Sequence, residues 1–283
     1  MADTPAAAPR PVRRALHARV ETVEQLTPSM IRVVVGGADL EGFAVGEFTD
    51  HYVKVQLPPA GASYALPFDA EAVKAELPRA EWPRLRTYTV RAWDAEALRL
   101  TLDFVVHGDE GLAGPWAAGL QPGDPVQLLG PGGGYAPDPT ADWHLLVGDT
   151  SVLPAIAATL ARIPAGVPVH VLVQVDGPQE EQPLESDGEL HVTWLHDATH
   201  DPDVLADAVR ALDFPAGRVH AFVHGEASSV RNVRRELVVE RGIDAAQLSA
   251  SGYWKLTRTD EQWREDKAAW KAQVEQDAAP AAS

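Results

Sequence analysis

Short β-rich apolar runs separated by Gly, Pro and Asp turns occupy the first half of the chain, at residues 16–24, 30–36, 51–57, 86–93, 97–106 and 125–129. Six such runs without a long helical period predict a small antiparallel barrel. Between the third and fourth lies an insert, Pro58 to Pro83, in which residues 69–77 predict one or two helical turns. The pattern changes after the turn-dense Gly132-Gly133-Gly134-Tyr135-Ala136-Pro137-Asp138-Pro139, which reads as an interdomain linker. Beyond it, apolar runs at 144–147, 167–175, 190–195 and 219–223 mix with helical patterns at 152–163, 202–212 and 227–241, the signature of a parallel sheet covered on both faces. A last strand is expected at 247–255. A charged helix follows at 259–275, with Trp263 and Trp270 seven apart on one face.

The fold class is therefore two domains, an antiparallel β-barrel followed by an α/β parallel-sheet domain. The expected divisions are 13–138 and 139–283, after an Ala- and Pro-rich tail at 1–12 that offers no apolar face to bury and is expected to be disordered. A length of 283 residues agrees with a prior of roughly 150 per domain. Such a pairing suits a flavin in the first domain and a pyridine nucleotide in the second.

Charge and cysteine content narrow the chemistry. Twenty-four Lys and Arg against 41 Asp and Glu give a net charge of −17, which repels polyanions, so no nucleic-acid partner is expected. No stretch approaches the ~18 consecutive apolar residues of a membrane span. The beginning of the chain lacks a secretory apolar core, so a cytoplasmic location without membrane insertion is expected. The chain has no Cys, which excludes disulfides, Cys-ligated iron–sulfur clusters and thiol catalysis; redox chemistry would need a bound cofactor.

Two motifs bear on such a cofactor. In Arg86-Thr87-Tyr88-Thr89-Val90-Arg91, positions 86, 88 and 90 share one strand face and 87, 89 and 91 the other. The plain reading is an exposed strand with two snorkelling arginines. The functional one is a flavin cradle, with Tyr88 against the ring, Thr89 near its reactive edge and an Arg on the pyrophosphate. After the run ending in Val105 and Val106, His107-Gly108-Asp109-Glu110-Gly111-Leu112-Ala113 reads as a glycine-rich turn opening a helix, either an ordinary connection or an anion site. His196 with His200 and His220 with His224 have ligand-like spacing. Pro202 argues against a helix through the first pair, and on a strand the second lies ~13 Å apart, so no metal site is assigned.

Together these motifs, with Leu129-Gly-Pro131, Trp143-His-Leu-Leu-Val-Gly-Asp149, Leu153-Pro-Ala-Ile156, His224-Gly-Glu-Ala227 and Gly252-Tyr-Trp-Lys255, closely resemble the siderophore-interacting proteins, flavin-dependent ferric-siderophore reductases. The resemblance covers roughly residues 15–265. It implies a ferredoxin-reductase-like architecture with FAD on the barrel and NADH or NADPH on the α/β domain. Arg86, Tyr88, Thr89 and Arg91 would contact the flavin or its phosphates, with Tyr88 and Thr89 nearest the chemistry. Val105, His107, Gly111, Leu112 and Ala113 would border the rest of the FAD. Asp149, Thr150, Ser151 and Glu226 would receive the nicotinamide nucleotide, and Lys54, Lys255 and Arg258 an anionic ferric chelate.

The sequence departs from the family pattern at Leu112, Gly114 and Thr150, and at the turn Gly130-Pro131-Gly132-Gly133, where family members often carry a cation. Residues 176–203 hold nine acids and no Lys or Arg, a poor setting for a 2′-phosphate, whereas the resemblance favours NADPH; Asp176 reads either as a solvated turn or as a ribose contact. The implied function is reduction of a ferric siderophore by NAD(P)H through flavin, in a monomer, with ferredoxin as another possible donor. A general flavin or ferredoxin-linked reductase of the same fold and a non-catalytic siderophore-binding protein are the alternatives.

Overall fold

Six strands close into an antiparallel barrel in the computed structural model, which describes residues 14–43, 45–106, 108 and 111–277. They are β1 (Leu16–Thr27), β2 (Met30–Gly36), β3 (Tyr52–Leu57), β4 (Arg84–Asp94), β5 (Arg99–Val105) and β6 (Pro125–Gly132), in the spatial order β1-β2-β5-β4-β3-β6. Alternation decides which side chains go inward: Val33 and Val35 of β2, Val53 and Val55 of β3 and Leu100, Leu102 and Phe104 of β5 fill one core. On the outer surface, Arg32 and Asp103 are directly opposed across β2 and β5 and form a two-pronged ion pair at 2.7 and 2.8 Å. Closure leaves this sheet no free edge. The insert after β3 contains α1 (Ala70–Glu76), started by the Asp69 carboxylate, which accepts from the N–H groups of Glu71 and Ala72. The short α2 (Ala113–Ala118) follows β5.

The second half is a five-stranded parallel sheet in the order β11-β10-β7-β8-β9. Its strands are β7 (Trp143–Asp149), β8 (Pro168–Val175), β9 (Glu189–His196), β10 (Val219–Glu226) and β11 (Leu248–Trp254). Central β7 is buried along its whole length, as a strand covered on both faces must be. Trp143, Leu145 and Val147 face α4 (Val204–Ala211) and α5 (Ala227–Arg235). Leu146 faces α3 (Leu153–Leu160), which also packs against β4 of the barrel. The connection from β8 to β9 carries only the single turn Pro178–Glu180. The helix expected to run from 227 to 241 changes pitch at Glu236–Glu240, which forms a π-helical turn. There the buried Glu236 carboxylate takes Arg210 and Arg241, each at 3.3 Å. The last element among the described residues is α6 (Asp260–Gln276), begun by a capping box of Thr259 and Gln262.

Direct contacts hold barrel and sheet together. The Glu180 carboxylate, 3% exposed, accepts from Thr27 and Ser29 hydroxyls, each at 2.6 Å, at the β1–β2 turn. Thr49 and Thr159 share a hydroxyl hydrogen bond of 2.8 Å. No helix among the described residues is long and apolar enough to cross a membrane. Residues 1–12 of the expected tail lie outside the described residues.

At the N-terminal end of the sheet, His144 is fully buried beside His220, and neither of its ring nitrogens has a hydrogen-bond partner. Burial first, and His220 second, push its imidazole down to about 4. In the unfolded chain it would take a proton near 6.5. Its contribution is therefore complete above pH 6.5 and is lost as pH falls towards 4. Urea unfolding of His144→Phe between pH 7 and 4.5 should show about 2 kcal/mol less loss of stability than the parent; parallel curves would remove His144 from the acid response.

Candidate functional site

The C-terminal ends of the parallel strands, the outer wall of the barrel and the start of α6 enclose a cleft of about 940 Å³. Ligands in open α/β sheets bind beside these strand ends, and the volume is at the upper end of the range of small-molecule cavities, roughly 300–1,000 Å³. Tyr88 and Thr89 of β4 line it. The Tyr88 ring is backed by Phe104 at 4.1 Å between centroids, and burial raises its phenol above its ordinary value. Thr89, 8% exposed, and Tyr253 of β11 both line the cleft, so barrel and sheet meet there.

The sheet side is built around Asp149. Its Oδ1 accepts from the Ser151 N–H at 2.9 Å and the Ser151 hydroxyl at 2.5 Å, and its Oδ2 from the Glu226 N–H at 2.7 Å and the Trp254 indole at 2.9 Å. Burial raises the carboxyl, and the four donors act in the opposite direction. Gly225 must be glycine here: its φ is +129°, and a Cβ would come within 2.5 Å of Asp149 Oδ2. Both oxygens are thus committed to the protein, and Asp149 shapes the cleft through Ser151, Glu226 and Trp254.

Arg86, Val105, Gly111, Leu112, Ala113, Thr150, Ser151 and Lys54 also line the cleft. Arg86 Nη1 donates to Asp260 at 3.2 Å, Glu261 at 2.8 Å and the Leu85 carbonyl at 3.1 Å. Among the described residues the rest of that guanidinium carries no protein bond. Arg91 is outside the cleft, near Arg32 and Asp103; burial, then repulsion from Arg32, lowers its guanidinium. Glu226 caps α5, accepting from the Ser228 and Ser229 N–H groups, and takes Lys255 at 3.3 Å. Lys255 also donates to the Ser228 hydroxyl, and Arg258 pairs with Asp266 at 3.0 Å; neither lines the cleft. His107 lies outside the described residues.

The four histidines with ligand-like spacing have separate partners. His196 meets Glu181, His200 faces Asp176, His220 accepts from the Asp138 N–H, and His224 shares a bond with Ser249. His200, His224 and Asp176 line the cleft. Sequence reasoning passed over Tyr52, and over Arg264, Lys267 and Lys271 of α6, all of which line it. The Tyr52 ring lies against Gly132, where a Cβ would come within 2.4 Å of it. The 264, 267, 271 spacing marks one helix face, but the more obvious Trp263 and Trp270 stripe draws the eye first.

These residues fit FAD. Tyr88 offers a ring face, Thr87 and Thr89 offer hydroxyls, and Arg86 has an unspent guanidinium edge for a phosphate. The main chain at Gly111 and Gly134 lies open where a Cβ would meet nothing within 4 Å.

Comparison with known proteins agrees with this geometry. Residues 19–135 match the model of the siderophore-interacting FAD-binding domain, and residues 141–257 that of the siderophore-interacting protein. The chain is 35% identical over 249 residues to the ferric vibriobactin reductase ViuB of Vibrio cholerae, covering 86% of this chain and 90% of that one. It is 31% identical over 255 residues to the NADPH-dependent ferric-chelate reductase of Escherichia coli, covering 87% and 96%. The crystal structure of the siderophore-interacting protein SipS from Aeromonas hydrophila superposes with a TM-score of 0.79 at 26% identity, covering 93% of this chain and all of that one. The fold is ferredoxin-reductase-like. With both halves matched in order and relatives covered over most of their length, this chain belongs to the siderophore-interacting protein family.

Proposed function

We propose that the chain is a ferric-siderophore reductase using NADH or NADPH as donor and FAD as cofactor. The reading rests on one observation above all: a single cleft gathers Tyr88 and Thr89, the ends of parallel strands β7 and β8, and the cation Lys54. The net reaction takes one reduced nicotinamide and two ferric chelates to one oxidised nicotinamide, two ferrous ions, two freed chelators and one proton. Bound FAD would supply the conversion from a two-electron donor to a one-electron acceptor.

The protein's own groups have distinct parts in this proposal. Tyr88, backed by Phe104, would hold the cofactor ring. Arg86 offers its free edge to a phosphate. Thr89, which lines the cleft with Tyr253, would offer its hydroxyl to the cofactor ring. Thr150 and Ser151 present the nicotinamide side at the end of β7, where Asp149 fixes Ser151, and Glu226 helps shape that side by starting α5. Lys54 attracts the anionic chelate. Oxygen-rich chelators hold the smaller, harder ferric ion more tightly, so reduction releases the metal.

The purified chain, loaded with FAD and kept free of oxygen, should lose its visible flavin absorbance on adding NADH or NADPH and regain it on adding a ferric siderophore. The faster nucleotide identifies the donor. A protein that cannot be loaded with FAD, or whose absorbance neither nucleotide bleaches, would overturn the proposal as stated. Two substitutions should separate the roles. Tyr88→Ala should weaken FAD retention by about 10-fold, whereas Lys54→Ala should keep a normal flavin content and raise KM for an anionic ferric chelate about 3-fold. Flavin loss in Lys54→Ala, or none in Tyr88→Ala, would reverse these assignments.

A further inference from the structure

Strand β8 lies beside β7 with Gln174 in register with Asp149, so Asp176, the residue after β8, stands two positions beyond that level. Asp176 lines the cleft together with Gln174 and His200. Of the nine acids at 176–203 it alone does so, among the described residues. The segment that follows β9 is tied to this strand end. Gln174, 4% exposed, donates from its amide to Asp197 at 2.9 Å and to the Asp201 carbonyl at 3.5 Å. Asp197 in turn accepts from the Thr199 N–H and hydroxyl and from the Asp201 N–H. The turn so made carries His200 at a φ of +54°, uncommon for a residue with a side chain, and sets it 3.8 Å from Asp176 and at right angles to the Trp254 ring, 5.5 Å between centres.

At 3.8 Å His200 is beyond hydrogen-bond reach, so the Asp176 oxygens stay free for another donor. Asp149 is different: both of its oxygens are already filled by the protein. What Asp176 accepts follows from its place in the sheet. A dinucleotide lies across the ends of parallel strands, and an acid at the end of the strand next to the first accepts from the adenosine ribose 2′-hydroxyl, whereas a 2′-phosphate needs a cation there. The Lys and Arg side chains that line the cleft stand on β3, β4 and α6; β8 and residues 176–203 contribute none. A 2′-phosphate beside Asp176 would meet a like charge with no Lys or Arg from its own segment to offset it.

We infer that Asp176, with His200 beside it, receives the ribose 2′-hydroxyl of the nicotinamide nucleotide and makes NADH the preferred donor over NADPH. This rests on the reductase reading above and names its electron donor. It departs from the donor that the family resemblance favours. The selecting element is one carboxylate on the cleft wall rather than the acidity of the segment as a whole, since the other eight acids do not line the cleft.

The test uses the FAD-loaded full chain and reads binding as well as turnover. Dissociation constants for NAD⁺ and NADP⁺ come from titration calorimetry, and flavin bleaching by NADH and NADPH is followed without oxygen. The parent should bind NAD⁺ about 10-fold more tightly than NADP⁺. Asp176→Asn, which removes the charge, should tighten NADP⁺ about 5-fold, and Asp176→Ala, which also removes the acceptor, should weaken NAD⁺ about 5-fold. Glu189→Gln makes the same change in net charge on exposed β9, away from the cleft, and should leave both constants within roughly twofold of the parent. Equal or tighter binding of NADP⁺ by the parent, an unchanged ratio in both Asp176 variants, or the same shift in Glu189→Gln would overturn the inference; the reductase reading stands in each case as long as either nucleotide bleaches the flavin. A parent whose flavin neither nucleotide bleaches would instead defeat the reductase reading, and this inference with it.

Discussion

A buried carboxylate with no cation beside it holds the working end of the sheet together. Asp149, at the end of β7, is reached by the main chain at the β10–α5 junction and by the indole at the end of β11, and it fixes its own following turn through Ser151. A charge in that position survives only if its lone pairs are filled, and four donors fill them. The rest follows geometrically: β10 must bring glycine to position 225, Glu226 is left to start α5, and Trp254 is turned towards the cleft. One side chain thereby brings three strand ends into register at the place where a parallel sheet receives its ligand.

The barrel is joined to this frame through small polar contacts and α3. Glu180 receives the β1–β2 turn, and Thr49 meets Thr159. Each is short-ranged and directional, so together they fix orientation more than they add stability. The result is that a threonine of the barrel, Thr89, and a tyrosine of the sheet, Tyr253, line one cleft. The cleft exists only with both halves in place.

Much of this was legible in the chain because alternation and burial leave a mark in composition. The barrel strands appeared at nearly their observed limits, most clearly β5, where Leu100 and Leu102 alternate with Arg99, Thr101 and Asp103. The parallel strands appeared as apolar runs. Strand β7 was expected to stop at Val147, yet it continues through Gly148 and Asp149, because the polar end is buried by partners more than 70 residues away in sequence. The pitch change after α5 was hidden for a similar reason: Glu236 looks like a surface residue until Arg210 and Arg241 converge on it. At the cleft, residue types pointed to the right region but not to how each side chain spends its bonds. Lys255 and Glu226 pair with each other, and Arg86 meets carboxylates 174 and 175 positions further on. No local pattern carries that information.

Helix α6 is anchored at both ends. Near its start, Asp260 and Glu261 hold Arg86 of the barrel; near its finish, Asp277 holds Arg231, and the Val274 carbonyl accepts from Arg234, both on α5. Together with the peptide linker between β6 and β7 and the contacts of Glu180, Thr49 and α3, this ties barrel and sheet at several separate points. A pair joined at one point can open like a jaw, whereas one joined at several is confined to shear and twist. Helix α6 is in that sense a brace laid across the two halves rather than an appendage to the second.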